Sequence, residues 1–375
     1  MSQLSYMKKL LDGVEVQWES LGNLCVGISS GRNKKKSEGG LYPVFGSTGV
    51  IGRTDTLIYK HEQILVARVG ANAGRVNIAQ GEYDVSDNTL IINTKECISL
   101  KYLYYFLVNI NLNKFSQGAG QPLITAKQLK SLPVPIPCPD NPEESLAIQA
   151  EIVRILDGFN ALIAELTTEL NMRKKQYSHY QFELLKFTET TQQISIGECC
   201  DIKKGATPIK KATPGKFPLV ATTEERQSSS EYQFDCPAVC VPLISSRGHG
   251  VASIDRIYYQ NGKFALGNIL CAIIPNDSEV LSAKFLRYYL FDKKDVMLVP
   301  LMRGGANVSL TMDSLKKVKI PIPPIADQQR IVCALDKFDE FVKALPCEIE
   351  LRQKQYEYYR DMLLSFPQSH SDETA

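Results

Sequence analysis

One long stretch of this chain occurs twice, and that repeat limits what the chain can fold into more than any other feature. LAIQAEIVRILDGFNALIAELTTELNMRKKQYSHYQFELLKF, beginning at Leu146, recurs from Ile325 as IADQQRIVCALDKFDEFVKALPCEIELRQKQYEYYRDMLLSF. The offset is 179 residues without a gap, and 17 of the 41 pairs from Ala147/Ala326 to Phe187/Phe366 are identical. This is one unit used twice. Its apolar residues step by four and three. In the first copy they are Ile152, Leu156, Phe159, Ile163, Leu166, Leu170, Tyr177, Tyr180, Leu184 and Phe187. In the second they are Ile331, Leu335, Phe338, Val342, Leu345, Ile349, Tyr356, Tyr359, Leu363 and Phe366. That period predicts a helical seam buried against another helix. A helix from about residue 148 to 187 would be about 60 Å long, more than one small domain can enclose. Pro346 predicts a kink or short break in the second copy. Arg173 and Arg352 interrupt the seam at matching places. Each either turns its head to solvent or to Glu169 or Glu348, or joins a polar layer that sets the helix register.

Fainter similarity extends in front of both helices. LYPVFGSTGVIG from Leu41 parallels FPLVATTEERQ from Phe217, and ILVARVGANAGRV from Ile64 parallels VCVPLISSRGHGV from Val239. SLKYLYYFL from Ser99 parallels SAKFLRYYL from Ser282, and GAGQPLITAKQLKSLPVPIP from Gly118 parallels GGANVSLTMDSLKKVKIPIP from Gly304. Each half therefore predicts a mixed domain of short strands and loops followed by one long helix. The N-terminal YMKKLLDG from Tyr6 resembles YQFELLKF from Tyr180, so the chain looks circularly pseudo-symmetric. The expected fold is α+β: two pseudo-two-fold related globular domains separated by two long antiparallel helices that form a coiled coil. The expected limits are 15–143 and 188–323 for the globular domains, and 144–187 and 324–366 for the helices. A short helix at 1–14 is expected to pack beside the end of the last helix, and 367–375 to be a flexible polar tail.

Apolar residues make up 44% of the chain and charged ones 22%, as in ordinary folded domains, and 375 residues suit two of them. No run reaches the ~18 apolar residues of a membrane span, and MSQLSYMKKLLDG lacks the apolar stretch of a signal peptide, so a cytoplasmic, membrane-free protein is expected. Among the ten cysteines, Cys199/Cys200 and Cys236/Cys240 have no zinc spacing. Cys25, Cys271 and Cys333 stand in apolar runs and read as small core residues. The formal charge is only +2, yet the expected globular parts are basic, +3 over 1–143 and +4 over 188–323. The segments 144–187 and 324–375 are acidic, −1 and −4, which suggests different partners for different regions.

Two strand-rich domains, each closing with an IPIP-type run (Leu132 to Pro137; Val318 to Pro324), a Gln at Gln149 or Gln328, and a long helix, resemble the specificity subunit of Type I restriction-modification systems. The resemblance spans nearly the whole chain and is strongest in PIPPIADQQRIVCALD from Pro321. The first-half counterpart departs from it by carrying CPDNPEES before the helix. The resemblance implies a non-enzymatic subunit without a cofactor, whose globular halves each read one half of a split, asymmetric site in double-stranded DNA. It implies that the paired helices set the half-site spacing and dock two methyltransferase subunits, with restriction subunits further out. A coiled-coil adaptor whose globular halves bind protein would use the same scaffold, and salt dependence of duplex binding separates the two.

No GxGxxG, GxxxxGK[ST] or Asn-Pro-Pro-aromatic run is present, so the chain shows none of the motifs of a nucleotide-dependent partner or an adenine methyltransferase. GANAG at Gly70 to Gly74 reads as a turn that needs positive φ. DNA reading needs Arg, Lys, Asn and Gln on loops or element edges. The candidates in the first half are Arg32, Lys34, Lys35, Lys36, Arg68, Asn72, Arg75 and Gln121. In the second half they are Lys203, Lys204, Lys210, Lys211, Arg247, His249, Arg303 and Asn307. The lysine clusters suit phosphate, whereas Arg68, Asn72 and Arg247, flanked by small residues, suit bases.

Overall fold

The computed structural model describes residues 10–33, 39–117, 122–188, 190–209, 212–223, 227–246, 254–304 and 307–366. The chain divides into two compact units, residues 1–167 with 348–375, and residues 168–347.

In unit 1 the strands are β1 (Val16–Ser20), β2 (Cys25–Ser30), β3 (Tyr42–Gly46), β4 (Gly49–Thr54), β5 (Gln63–Ala67), β6 (Val76–Ala79), β7 (Asp84–Val85), β8 (Thr89–Thr94) and β9 (Pro133–Pro137). Helices α1 (Leu100–Asn109) and α2 (Ala126–Lys130) precede α3 (Pro142–Leu184). The main sheet has the order β2-β8-β5-β6, and a smaller sheet has the order β4-β3-β7. Every residue of β5 is buried because the strand is covered on both faces. Ile64 and Val66 point into the cluster shared with α1 and α3, and Leu65 points toward Tyr83 and Val85 of the smaller sheet. β9 pairs only with β1, its prolines alternating with Val134 and Ile136, which are left to donate to the ladder.

Unit 2 repeats this plan. It begins with β10 (Gln193–Ser195), α4 (Ile196–Cys199), β11 (Cys200–Lys204), β12 (Phe217–Val220), β13 (Gln227–Ser229), β14 (Phe234–Asp235) and β15 (Ala238–Pro242). β16 (Ile244–Ser246), β17 (Tyr258–Gln260), β18 (Lys263–Leu266), β19 (Leu270–Pro275), α5 (Ala283–Met297), β20 (Asn307–Ser309), α6 (Met312–Lys316), β21 (Lys319–Pro321) and α7 (Ile325–Leu364) follow. Its main sheet, β11-β19-β15-β17, has the order of the unit 1 sheet strand for strand. The parallel pair β3/β7 has its counterpart in β12/β18, and the ribbon β1/β9 in β10/β21.

Each unit is fastened to its long helix by the same set of side-chain hydrogen bonds. Gln149 of α3 is fully buried, accepts from the backbone N–H of Ser99 at 2.8 Å and donates to Ser145 Oγ at 3.1 Å. Gln328 of α7, also fully buried, accepts from Ser282 N at 2.9 Å and donates to the Val280 and Pro323 carbonyls, each at 2.8 Å. Ser99 and Ser282 are the N-caps of α1 and α5. About two helical turns further on, Asp157 accepts from Lys101 Nζ at 2.6 Å and from the Tyr105 hydroxyl at 2.5 Å. In unit 2, Asp336 accepts from Lys284 Nζ at 2.5 Å and from the Tyr288 hydroxyl at 2.8 Å. The Asp157 carboxylate holds the Lys101 ammonium above its usual pKa.

Within each unit stretches of α3 and α7 lie side by side and antiparallel. In unit 1, Phe159 stacks on Tyr359 at 5.3 Å, and buried Ile152 and Leu156 share a cluster with Tyr356 and Leu363. In unit 2, Tyr180 stacks on Phe338 at 5.2 Å with Tyr177 at 6.3 Å, beside buried Ile331 and Leu335. Ile163, Leu166, Leu170, Val342, Leu345 and Ile349 are half-buried. Arg173 bonds Glu169 at 2.6 Å and Gln176 at 3.0 Å, and Arg352 bonds Glu348 at 2.8 Å and Gln355 at 2.9 Å. Both arginines thus turn to a carboxylate on their own helix.

Three expectations change. α3 begins at Pro142, ahead of the expected start, because Pro suits the first helical position and Asn141 accepts from Glu144 N at 3.3 Å. Of the kink or short break expected at Pro346, the break does not occur: α7 is one helix through it, since Pro removes only one hydrogen bond of a ladder held at both ends by tertiary packing. Cys25 and Cys271 are buried as expected, but Cys333 is exposed, because two residues from Ile331 it lies on the opposite side of the helix. The N-terminal expectation falls largely on residues outside the described ones. Leu10, Leu11 and Val14 pack on the cluster that contains Leu363, Leu364 and Phe366. No helix among the described residues is long and apolar enough to cross a membrane.

Removing the amide in Gln149→Ala or Gln328→Ala leaves a half-buried backbone N–H without its acceptor and the amide's other partners unmet, and is expected to lower unfolding free energy by about 1–3 kcal/mol in urea titrations. Thr89 carries the one buried side-chain oxygen without a partner among the described residues. Thr89→Val is therefore expected to leave stability unchanged or raise it in the same assay.

Candidate nucleic-acid interface

The strand order of the main sheet brings four separate segments to one end of unit 1. β2 and β5 finish there, and β6 and β8 begin there. The Gly31 N–H donates to the Thr89 carbonyl at 3.0 Å, and Asn33 forms a parallel bridge with Ser86. Only glycine fits at 31, since a Cβ would stand 2.3 Å from the Val85 oxygen. Arg68 donates its N–H to Asn88 O at 2.9 Å and accepts from Ile124 N at 2.8 Å, while Gly70 N donates to Pro122 O at 3.0 Å. The GANAG segment is the expected turn. Gly70 and Gly74 have φ of +80° and +89°, and Ala73 N donates back to Gly70 O at 2.9 Å.

Of the residues expected to touch DNA, this end carries Arg32, Arg68, Asn72 and Arg75. Arg32 and Arg75 are exposed, and Arg68 and Asn72 are half-buried. None of these four side chains makes a hydrogen bond or ion pair among the described residues. Lys34, Lys35, Lys36 and Gln121 lie outside the described residues.

Unit 2 offers the same end of the equivalent sheet. Lys204, the last residue of β11, is exposed there beside exposed Lys203, which pairs with Asp201 at 3.0 Å. Arg303 is exposed and bridges Ser309, and Asn307 opens β20 opposite Ser246. Lys210, Lys211, Arg247 and His249 lie outside the described residues. Among those described, no cluster of His, Cys, Asp and Glu could hold a metal ion.

Two further positions emerge only from the fold. Gln117 bridges Leu123 as Arg303 bridges Ser309, and it is exposed, so it is the unit 1 counterpart of Arg303. Asn88, exposed at the entrance to β8, faces Arg68 across the sheet. The polar triplet Ser86-Asp87-Asn88 just before an apolar strand was the available sequence signal. Such surfaces suit a polyanion that also offers acceptor edges, because free guanidinium and carboxamide groups pair with phosphates and with purine N7 and O6 or N6.

The turn can be tested through Gly74, where a Cβ would stand 2.4 Å from the Asn113 nitrogen and the φ is +89°. Gly74→Ala is expected to displace the loop and reduce duplex binding at least tenfold in a titration, with little change in far-UV circular dichroism.

Residues 15–173 and 188–351 both match the profile of the Type I restriction modification DNA specificity domain. Over 403 aligned residues the chain is 36% identical to the Type I restriction enzyme EcoR124I/EcoR124II specificity subunit of Escherichia coli, with 98% of each chain covered. It is 28% identical over 391 residues to the Type I restriction enzyme EcoprrI specificity subunit of Escherichia coli, covering 92% of this chain and 93% of that one. The fold is similar to the crystal structure of the Type I restriction-modification system S subunit from M. genitalium, with a TM-score of 0.66 at 17% identity over 95% of this chain and 98% of that one. With both halves matched and a relative aligned from end to end, the chain belongs to the Type I restriction-modification DNA specificity family.

Proposed function

We propose that the chain is the non-catalytic DNA-reading subunit of a Type I restriction-modification complex in the cytoplasm. Each unit presents one end of its main sheet to one half of a bipartite, asymmetric duplex site. The carrying observation is the convergence there of Arg32, Arg68, Asn72 and Arg75, none with a hydrogen-bonding or ionic partner among the described residues. Segments 15–143 and 188–323 supply the reading surfaces. Segments 144–187 and 324–366 set the half-site spacing, since separation along a duplex follows the distance between reading elements. The same helices dock two methyltransferase subunits, with restriction subunits bound further out, and the chain needs no cofactor of its own.

The first test is co-purification with an adenine methyltransferase subunit, followed by mapping of methylated adenines. Two methyltransferase copies per chain and a split, asymmetric motif are expected. No complex, together with duplex binding insensitive to salt, would replace this reading with a protein-binding adaptor. A second test substitutes Lys34, Lys35 and Lys36 with Ala. Binding should weaken on every duplex sequence, and the slope of log K against log salt should become shallower by roughly 0.9 for each phosphate that is no longer neutralised.

A further inference from the structure

A series of backbone hydrogen bonds at the two sheet ends can be matched, and the match isolates a pair of side chains in unit 1 that unit 2 replaces with apolar ones. Gly31 N to Thr89 O (3.0 Å) corresponds to Gly205 N to Leu270 O (2.9 Å). Asp87 N to Asn33 O (3.2 Å) corresponds to Asn268 N to Thr207 O (3.0 Å). Thr89 N to Ser86 O (3.1 Å) corresponds to Leu270 N to Gly267 O (3.0 Å). In the same register, Arg68 N to Asn88 O (2.9 Å) corresponds to Leu243 N to Ile269 O (2.8 Å), and Ile124 N to Arg68 O to Leu310 N to Leu243 O, both 2.8 Å. Arg68 therefore stands where unit 2 has Leu243, and Asn88 where it has Ile269.

Arg68 and Asn88 lie one position beyond the last ladder pair of β5 and β8, Ala67 with Thr89, and the Arg68 N–H to Asn88 O bond holds their backbones together. Unit 2 uses its pair to close its cores: Leu243 is 7% exposed in one apolar cluster, and Ile269 packs against another. Unit 1 places a guanidinium and a carboxamide there. Arg68 is half-buried with no acceptor for its side chain among the described residues, and the exposed Asn88 carboxamide has no partner there either. At this half-buried to exposed place both groups are open to a ligand that supplies acceptors and donors. The planar fork of Arg fits the O6 and N7 atoms of guanine, and the carboxamide of Asn fits N6 and N7 of adenine.

We propose that Arg68 and Asn88 form a purine-reading pair confined to unit 1, with guanine under Arg68 and adenine under Asn88 at a neighbouring step. This deepens and rests on the DNA-reading function proposed above. Unit 2, with Leu243 and Ile269 in those places, reads its half-site without this pair.

The experiment is selection of random duplexes by the full chain, followed by sequencing, for the wild type, Arg68→Leu, Arg68→Lys and Asn88→Ala. Arg68→Leu installs the residue already accommodated at the matched place in unit 2. Arg68→Lys keeps the charge but not the fork. Both are expected to lose about ten- to hundredfold of the preference for guanine at one position of one half-site. Asn88→Ala should relax a nearby adenine, and the other half-site should be unchanged in all variants. Equal weakening on all sequences by Arg68→Leu, with full recovery in Arg68→Lys, would show a phosphate contact and overturn the proposal. So would a wild-type motif whose base preferences all survive in the Arg68 variants. If the wild type enriches no motif at all, the DNA-reading function itself falls.

Discussion

The structure depends on a buried amide. Gln149 and Gln328 lie at 0% exposure, each with its carbonyl oxygen on the N–H of the serine that caps the next helix of its unit. A carboxamide so placed must have its partners, because an unmet donor or acceptor in the interior costs as much as the burial of a whole apolar side chain contributes. The Lys and Tyr bonds to Asp157 and Asp336 add a second fixed point about two helical turns away. Two points along one helix define a direction. The sheet end that carries the exposed cations is thereby aimed relative to the helix on which its unit is built, and aim is what a reader of base edges requires.

The fold was largely legible because its strongest signals are periodic or duplicated. The seam stepping through Ile152, Leu156 and Phe159 marks a long amphipathic helix whatever its surroundings, and the offset of 179 residues states that there are two. Local rules failed where tertiary packing overrode them. Pro346 removes one hydrogen bond from a helix of 40 residues, too little to end it. Cys333 sits in an apolar run, yet only the phase of the helix decides that it faces out.

The candidate site was legible in its residue types and obscure in its membership. Arg68 and Arg75 were visible as cations in a small-residue loop. Asn88 and Gln117 were not, because their place beside Arg68 follows from the order β2-β8-β5-β6 and from a bridge to Leu123. Those pairings join segments far apart in the chain, and nothing in a local window of sequence announces which loops will meet. The faint resemblance of ILVARVG to VCVPLIS did carry the pairing of Arg68 with Leu243, but its meaning appeared only when the hydrogen bonds of the two sheets were laid side by side.

The joint between unit and helix has a plug and a socket. The plug is a short helix that opens Ser-x-Lys-x-x-x-Tyr, as Ser99, Lys101, Tyr105 and again as Ser282, Lys284, Tyr288. The socket is a Gln and an Asp eight residues apart on the long helix, Gln149 with Asp157 and Gln328 with Asp336. Among the described residues, none of the hydrogen bonds of this coupling comes from the loops at the far end of the sheet. A gene that exchanged the strands and loops between one socket and the next, while keeping the plug, would deliver a new base preference into an unchanged frame, so the vocabulary of the protein can evolve without disturbing its grammar.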